Sequence, residues 1–178
     1  MNSMIDKKSY NEHHSEYCED TKYDVEIAQH EDHNKNNFEY IYKTDIPHGN
    51  VLDQTDFKVA VDIGSETGWF ANYLVEHRNY EKVYAIEPSV AATNIAKKIY
   101  PSQDKVDWKV GFSEEKLKKI ELTEKALFST MCVLAHIEDS SVTKILNEMN
   151  SIAPRGSVFC FSEPWGRASH SHCWHIRP

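Results

Sequence analysis

The segment Val61-Asp62-Ile63-Gly64-Ser65-Glu66-Thr67-Gly68 gives the clearest indication of the fold. The residues up to Ile63 continue a short apolar run that begins at Phe57 and is rich in β-branched side chains, as in a buried strand. Gly64 and Gly68 then bracket a turn, because glycine adopts left-handed conformations freely and lets the backbone approach a ligand. The stretch predicts a strand that runs through a tight turn into a helix.

Outward from this stretch, strand and helix patterns alternate. We predict strands at 57–63, 82–86, 106–110, 126–131 and 157–161, and helices at 69–77, 90–100, 114–124 and from Ser140 or Ser141 onward. Ser89 is the predicted N-cap of the second helix. Leu117 and Ile120 are expected to face inward, and the last helix has an apolar face of Val142, Ile145, Leu146 and Met149.

This alternation predicts an α/β domain with a Rossmann-like, doubly wound, mainly parallel sheet that is covered on both faces. No strand pattern follows residue 162, so we expect the sheet to lack the last strands of such a fold, in a chain that is either truncated or naturally minimal. Residues 1–50 are rich in charged and polar side chains, and we expect an extension that is partly disordered or lid-like. Residues 51–178 are expected to form the domain.

The composition excludes several classes of function. The formal net charge of −8 disfavours a broad nucleic-acid surface, which needs clustered lysine and arginine. No apolar run is long enough to cross a membrane, and the N-terminal residues lack the apolar h-region of a secretory signal, so we expect none. The four cysteines are widely spaced, which favours a reducing cytoplasm. We predict no metal site, although the segment His170–His175 contains histidine and cysteine.

Ligands of an open parallel sheet bind beyond the carboxyl ends of its strands, so the residues that follow each strand are the candidate site. Glu66 stands where a dinucleotide fingerprint has its second glycine, and a carboxylate is a poor neighbour for pyrophosphate. Glu87 ends the second strand, 23 residues after Gly64. An acidic side chain at about this spacing accepts hydrogen bonds from the ribose hydroxyls of an adenosine ligand.

Several segments together resemble the class I S-adenosylmethionine (SAM)-dependent methyltransferases. The turn at 61–68 and the segment Val83-Tyr84-Ala85-Ile86-Glu87-Pro88-Ser89 resemble the first two motifs of that family. Residues 127–139 resemble its fourth-strand segment, and residues 152–157 resemble the turn before its fifth strand. The resemblance covers about residues 50–165 and departs from the family at Glu66, where a glycine is usual.

The resemblance implies SAM as the cofactor and assigns the site by position. The methionine end of SAM would meet Asp62, Gly64, Ser65, Glu66 and Gly68, and its ribose would meet Glu87. The remaining implied cofactor residues are Pro88, Gly111, Phe112 and Ser113 near the adenine, and Met131 and Cys132 on the sulfur side. Plain core packing is the alternative for Phe112 and Met131.

His136 is the candidate catalytic residue, because an imidazole with an ordinary pKa near 6.5 suits a general base at neutral pH. A packing or capping role is the alternative. We predict a cytoplasmic SAM-dependent methyltransferase that acts on O or N of a small molecule, with a sugar or polysaccharide precursor as the suggested acceptor. Nucleic acid and membranes are not expected partners. The competing hypotheses are a non-catalytic, protein-binding methyltransferase-like domain and an NAD-dependent oxidoreductase.

Overall fold

A computed structural model of the chain describes residues 55–100, 104–131, 133–134, 137 and 139–162. The five strands are β1 (Val59–Ile63), β2 (Lys82–Glu87), β3 (Val106–Val110), β4 (Ala126–Met131) and β5 (Val158–Ser162). The helices are α1 (Trp69–Arg78), α2 (Val90–Ile99), α3 (Ser113–Lys116) and α4 (Asp139–Ile152), with a 3₁₀ turn at Leu117–Lys119. All five predicted strands are confirmed, to within two residues at their ends.

The strands form one sheet in the order β3-β2-β1-β4-β5, and every neighbouring pair is parallel. The chain moves outward from β1 to β3 and then returns to the other side of β1 with β4, which is doubly wound topology. Ile63 at the end of β1 pairs with Ile86 of β2 and with Thr130 of β4. The carboxyl ends of these strands therefore lie side by side, and the direction of winding changes at β1.

Helices cover both faces of the sheet, as predicted. On one face α1 buries Phe70, Ala71, Leu74 and Val75 against the sheet. On the other face α4 buries Ile145 and Met149 against a cluster that includes Phe128 of β4. Each face of the sheet therefore packs against its own buried cluster of apolar side chains. This packing holds the strands, and so their carboxyl ends, in place.

The structure confirms the prediction that Ser89 is the N-cap of α2. Its backbone is extended, and its Oγ accepts a hydrogen bond from the Ala92 N–H at 3.2 Å, which is N-cap geometry. Thr93 is buried and donates from its hydroxyl to the Ser89 carbonyl at 3.0 Å. These two bonds hold the first turn of α2 directly behind the end of β2.

The prediction of a helix over 114–124 is wrong. Helix α3 ends at Lys116, the 3₁₀ turn follows, and residues 120–125 are not helical. A 3₁₀ turn brings residues three apart onto one side, so Leu117 and Ile120 are both buried, as expected, without a longer helix. The next residues are mostly exposed and must reach β4 at Ala126, so a longer helix would gain no further buried face.

The predicted start of the last helix is also wrong. Helix α4 begins at Asp139, so Ser140 and Ser141 lie inside its first turn and neither is the cap. An acidic residue at this end is favoured by the helix dipole. Val142, Ile145 and Met149 are buried as predicted, but Leu146 is 38% exposed and lies outside the buried face.

Candidate functional site

The predicted cofactor residues that the structure describes lie after the carboxyl ends of β1 to β4. Asp62 and the turn belong to β1, Glu87 and Pro88 to β2, the segment Gly111–Ser113 follows β3, and Met131 ends β4. The parallel register brings the ends of β1, β2 and β4 together at the position where the winding reverses. This edge of the sheet is the candidate site.

The turn after β1 is tied to the end of β2. The N–H groups of Gly64 and Ser65 both donate to the Ile86 carbonyl, at 2.8 and 3.1 Å, and Gly68 N–H donates to the Ser65 carbonyl at 2.7 Å. Gly64 and Gly68 have φ values of 71° and 78°, a region of backbone conformation that favours glycine. A β-carbon would meet the side chain of Val133 at Gly64 and that of Trp108 at Gly68. The lack of a β-carbon at these two glycines therefore leaves room for the Val133 and Trp108 side chains.

We expect Gly68→Ala to lower the free energy of unfolding by about 2 kcal/mol, because alanine is strained at this φ and the Trp108 ring would have to move. Gly156→Ala is the matched control, since Gly156 also has a positive φ of 92° but faces only the flexible Lys125 side chain. Urea unfolding of both variants measures the difference. Equal losses in the two variants would contradict a role for the Trp108 contact.

Glu66 occupies the tip of this turn in a left-handed conformation with φ 48°, which is uncommon for a residue other than glycine. Its side chain is exposed, and its N–H donates to Oε2 of Glu87 at 3.0 Å. The turn is therefore fastened to the buried acid at the end of β2 by its own backbone.

Glu87 connects the turn to α2. Its side chain is 3% exposed, and its other oxygen, Oε1, accepts from the Ser89 N–H at 2.8 Å. Burial raises the pKa of Glu87 to about 7, with further raising by the charges of Glu66 and Asp62 and partial lowering by the two backbone bonds. A carboxylate has about four acceptor positions, and these two backbone bonds occupy two of them.

Asp62 is the second buried acid of the site. Ser129 of β4 donates from its hydroxyl to Oδ1 of Asp62 at 2.9 Å, while Oδ2 has no hydrogen-bond partner among the described residues. Burial raises the pKa of Asp62 to about 7, and the Ser129 bond lowers it in part. The hydroxyl of Ser65 is also buried without a partner in the described part of the chain. Two polar groups beside the turn are thus left for a ligand to satisfy.

Ser129, the hydrogen-bond donor to Asp62, is a site residue that the sequence did not predict. The only signal for it is a polar side chain directly after the apolar run Ala126–Phe128, within the predicted strand. The structure buries Ser129 to 2% exposure. Its partner Asp62 is 67 residues away in sequence, and the two meet because β1 and β4 pair in register at these residues.

The remaining predicted residues surround the two acids. Gly111 N–H donates to the Glu87 carbonyl at 3.0 Å, which joins the loop after β3 to the end of β2. Phe112 is partly buried and its carbonyl accepts from the first turn of α3, while Ser113 is buried as the first residue of that helix. Met131 is partly buried and packs against the cluster under α1. The structure thus gives Met131 a packing contact, and it gives the Phe112 carbonyl a place at the start of α3.

Two predicted residues, Cys132 and His136, lie outside the described residues, as does the segment His170–His175. Within the described ranges, no group of three or more His, Cys, Asp or Glu side chains is arranged to hold a metal ion.

No protein-family model matches the chain, and no curated protein matches it. Solved structures do match it. Phosphoethanolamine N-methyltransferase 1 of Haemonchus contortus, solved with phosphoethanolamine and S-adenosylhomocysteine (SAH), superposes with a TM-score of 0.53 and 18% identity over 66% of this chain and 25% of that chain. The methyltransferase domain of bacterial CtHen1 superposes with a TM-score of 0.50 and 14% identity over 58% of this chain and 56% of that chain.

A third structure, DhpI in complex with SAH, gives a TM-score of 0.50 and 16% identity over 66% of this chain and 54% of that chain. The chain therefore spans between a quarter and a little over half of the length of these structures. At such identities the likeness concerns the fold. Together with the all-parallel sheet in the order β3-β2-β1-β4-β5, it shows that the chain has the fold of the class I SAM-dependent methyltransferases.

Proposed function

We propose that this chain binds SAM at the carboxyl ends of β1 and β2 and transfers its methyl group to an oxygen or nitrogen of a small molecule. The observation that carries the proposal is Glu87, a buried acid at the end of β2 that fastens the turn after β1 and offers a carboxylate to a ribose diol. Residues 51–178 are proposed as the SAM-binding domain, with residues 1–50 as an extension to it.

The residues present fit SAM in chemistry. Glu87 would accept hydrogen bonds from the ribose hydroxyls, and the unsatisfied Oδ2 of Asp62 would receive the cationic methionine end beside Gly64, Ser65, Glu66 and Gly68. The adenine would lie near Pro88 and the segment Gly111–Ser113, with Met131 and Cys132 towards the sulfur. Two of the structures with this fold, DhpI and the Haemonchus enzyme, were solved with SAH, which supports the choice of ligand.

The charge of the site favours SAM over a dinucleotide. Asp62, Glu66 and Glu87 are carboxylates, and the charges of Asp62 and Glu66 both act on Glu87. An anionic pyrophosphate would be repelled at this position, whereas the sulfonium and ammonium groups of SAM would be attracted. An NAD-dependent oxidoreductase is therefore the weaker alternative.

SAM supplies a methyl group on a positively charged sulfur, which is already activated for displacement. The contribution of this chain would be to hold the ribose and the methionine end rigidly, so that the methyl carbon faces the acceptor in line. Glu87 suits this role because its two backbone bonds fix the carboxylate before any ligand arrives.

His136 is proposed as the general base for acceptors that must lose a proton, such as a hydroxyl. We expect His136→Ala to lower the rate of methyl transfer by about a hundredfold and to leave the SAM dissociation constant nearly unchanged. Single-turnover kinetics with a calorimetric titration measures both quantities. An unchanged rate would remove His136 from the mechanism, and His77→Ala, on the exposed surface of α1, is the matched control.

A small-molecule acceptor is proposed because the net charge of −8 disfavours nucleic acid. A sugar or polysaccharide precursor is the suggested class, and the cytoplasm the suggested location. Among the described residues, the helices are too short and too polar for any of them to traverse a bilayer.

Calorimetric titration with SAM, SAH and NAD tests the proposal against its alternatives. We expect micromolar binding of SAM and SAH and none of NAD. Binding of NAD alone would contradict the proposal in favour of an oxidoreductase, and no binding of any of the three would favour a non-catalytic, protein-binding domain. A screen of candidate acceptors for the mass increase of one methyl group then identifies the substrate.

A further inference from the structure

Ser129 places a hydroxyl group in the interior of the protein, within β4. Its side chain is 2% exposed, and the preceding strand residues Ala126–Phe128 are apolar and fully buried. A hydroxyl group in such surroundings needs a hydrogen bond, because burial separates it from water. Its short bond is to Oδ1 of Asp62, at 2.9 Å, since the Val61 carbonyl lies at 3.5 Å, beyond the usual range for a hydroxyl donor.

The bond determines how the Asp62 carboxylate is presented. β1 and β4 pair in register at these two residues, so the serine reaches the acid from the neighbouring strand. Among the described residues Ser129 is the one hydrogen-bond donor to Asp62, and it occupies Oδ1, while Oδ2 is buried without a partner. A hydroxyl donor also favours the ionised form of a carboxyl group, and the Ser129 bond lowers the pKa of Asp62 against the raising effect of burial.

We propose that Ser129 is a positioning residue of the SAM site, which fixes the Asp62 carboxylate so that Oδ2 receives the ammonium group of the ligand. The inference rests on the proposed function, because it concerns the same site. An ammonium group supplies the hydrogen-bond donor and the positive charge that a buried carboxylate oxygen without a partner lacks. The hydroxyl group acts through Asp62, which it keeps ionised and in one orientation.

Titrations with SAH and with methylthioadenosine test the inference, because methylthioadenosine has the adenine, ribose and thioether of SAH but no amino acid end. We expect Ser129→Ala to lower the affinity for SAH at pH 7 by about tenfold and to leave that for methylthioadenosine unchanged. Ser129→Thr keeps the hydroxyl group and should retain most of the SAH affinity. In an Asp62→Asn background, Ser129→Ala should have little further effect on SAH binding, since the hydroxyl group acts through the carboxylate.

The pH dependence of SAH binding gives a second readout. Without the Ser129 donor the pKa of Asp62 rises further, so the SAH affinity of Ser129→Ala should reach its plateau at a higher pH than that of the wild type. Among the described residues, the neighbouring ionisable groups are Glu87 at the end of β2 and Glu66 on the turn, while β4 and the first turn of α1, Trp69–Asn72, have none. Both glutamates are the same in the two proteins, so the shift reports Asp62.

Ser157→Ala is the matched control, since it removes a hydroxyl group with two hydrogen bonds before β5, at the opposite edge of the sheet. It should leave both ligand affinities unchanged. The inference is overturned if Ser129→Ala weakens both ligands equally, as a general disruption of the site would, if it leaves the SAH affinity or its pH profile unchanged, or if the effects of Ser129→Ala and Asp62→Asn add independently. Failure of both ligands to bind the wild-type chain would overturn the proposed function itself, and this inference with it.

Discussion

Replacement of Glu87 by alanine is expected to lower the affinity for SAM by at least about a hundredfold. Each hydrogen bond to a charged partner contributes about 1.5–3 kcal/mol, and the variant loses two of them to the ribose. It also loses the acceptor for the N–H groups of Glu66 and Ser89, so the turn after β1 is no longer fastened to the end of β2. Calorimetric titration with SAM measures the loss.

Two controls separate ligand binding from folding. Glu87→Gln keeps one oxygen acceptor and should lose less affinity than Glu87→Ala, with little change in the far-ultraviolet circular dichroism spectrum. Glu124→Ala changes an exposed glutamate at the opposite edge of the sheet and should bind SAM like the wild type. Unaltered SAM affinity in Glu87→Ala would exclude Glu87 from the ribose site.

Replacement of Asp62 by asparagine is expected to change the pH dependence of stability. The pKa of Asp62 rises from its ordinary 3.8 in the unfolded chain to about 7 in the folded protein, because the carboxyl is buried. As the pH rises from 4 to 7, the unfolded chain loses this proton first, so the free energy of unfolding falls across this window. The fall is complete above pH 7 and amounts to about 4 kcal/mol.

Asparagine cannot titrate, and its Oδ1 can still accept the Ser129 hydrogen bond. Relative to the wild type, Asp62→Asn should therefore gain stability between pH 4 and pH 8, by a few kcal/mol. Urea unfolding at both pH values measures this change, and Asp104→Asn, an exposed aspartate before β3, is the matched control. An identical pH dependence in wild type and Asp62→Asn would contradict a buried, destabilised carboxyl at position 62.

A buried carboxylate that lowers stability at neutral pH is informative about function. The raised pKa means that ionised Asp62 lowers the free energy of unfolding at neutral pH, so the carboxylate does not serve to stabilise the fold. A cationic ligand beside it would offset that effect by balancing the charge. The same reasoning applies to Glu87, whose pKa is also raised to about 7.

The parts of the fold that depend on local chemistry were predictable from the sequence. A turn that requires left-handed conformations favours glycine, so Gly64 and Gly68 located the end of β1 directly. The run Lys82–Ile86 located β2, because its apolar residues are followed directly by Glu87 and Pro88. Ser89 identified the start of α2 because capping is a property of a few adjacent residues.

The parts that depend on distant residues were not predictable. The bond between Asp62 and Ser129 requires the register of β1 against β4, which no local pattern contains. The helical periodicity after Ser113 was compatible with a helix to residue 124, but the chain must leave the helix early to enter β4 at Ala126. The start of α4 was missed because Ser140 and Ser141 are good caps in isolation, although Asp139 already belongs to the helix.

A crystal structure of this chain with bound SAH would show directly whether Glu87 holds the ribose. We expect both ribose hydroxyls to lie within hydrogen-bond distance of the Glu87 carboxylate, with the amino acid end of SAH beside Asp62 and the turn at Gly64–Gly68. A ribose bound away from the end of β2, with the Glu87 carboxylate contacting only the N–H groups of Glu66 and Ser89, would contradict it.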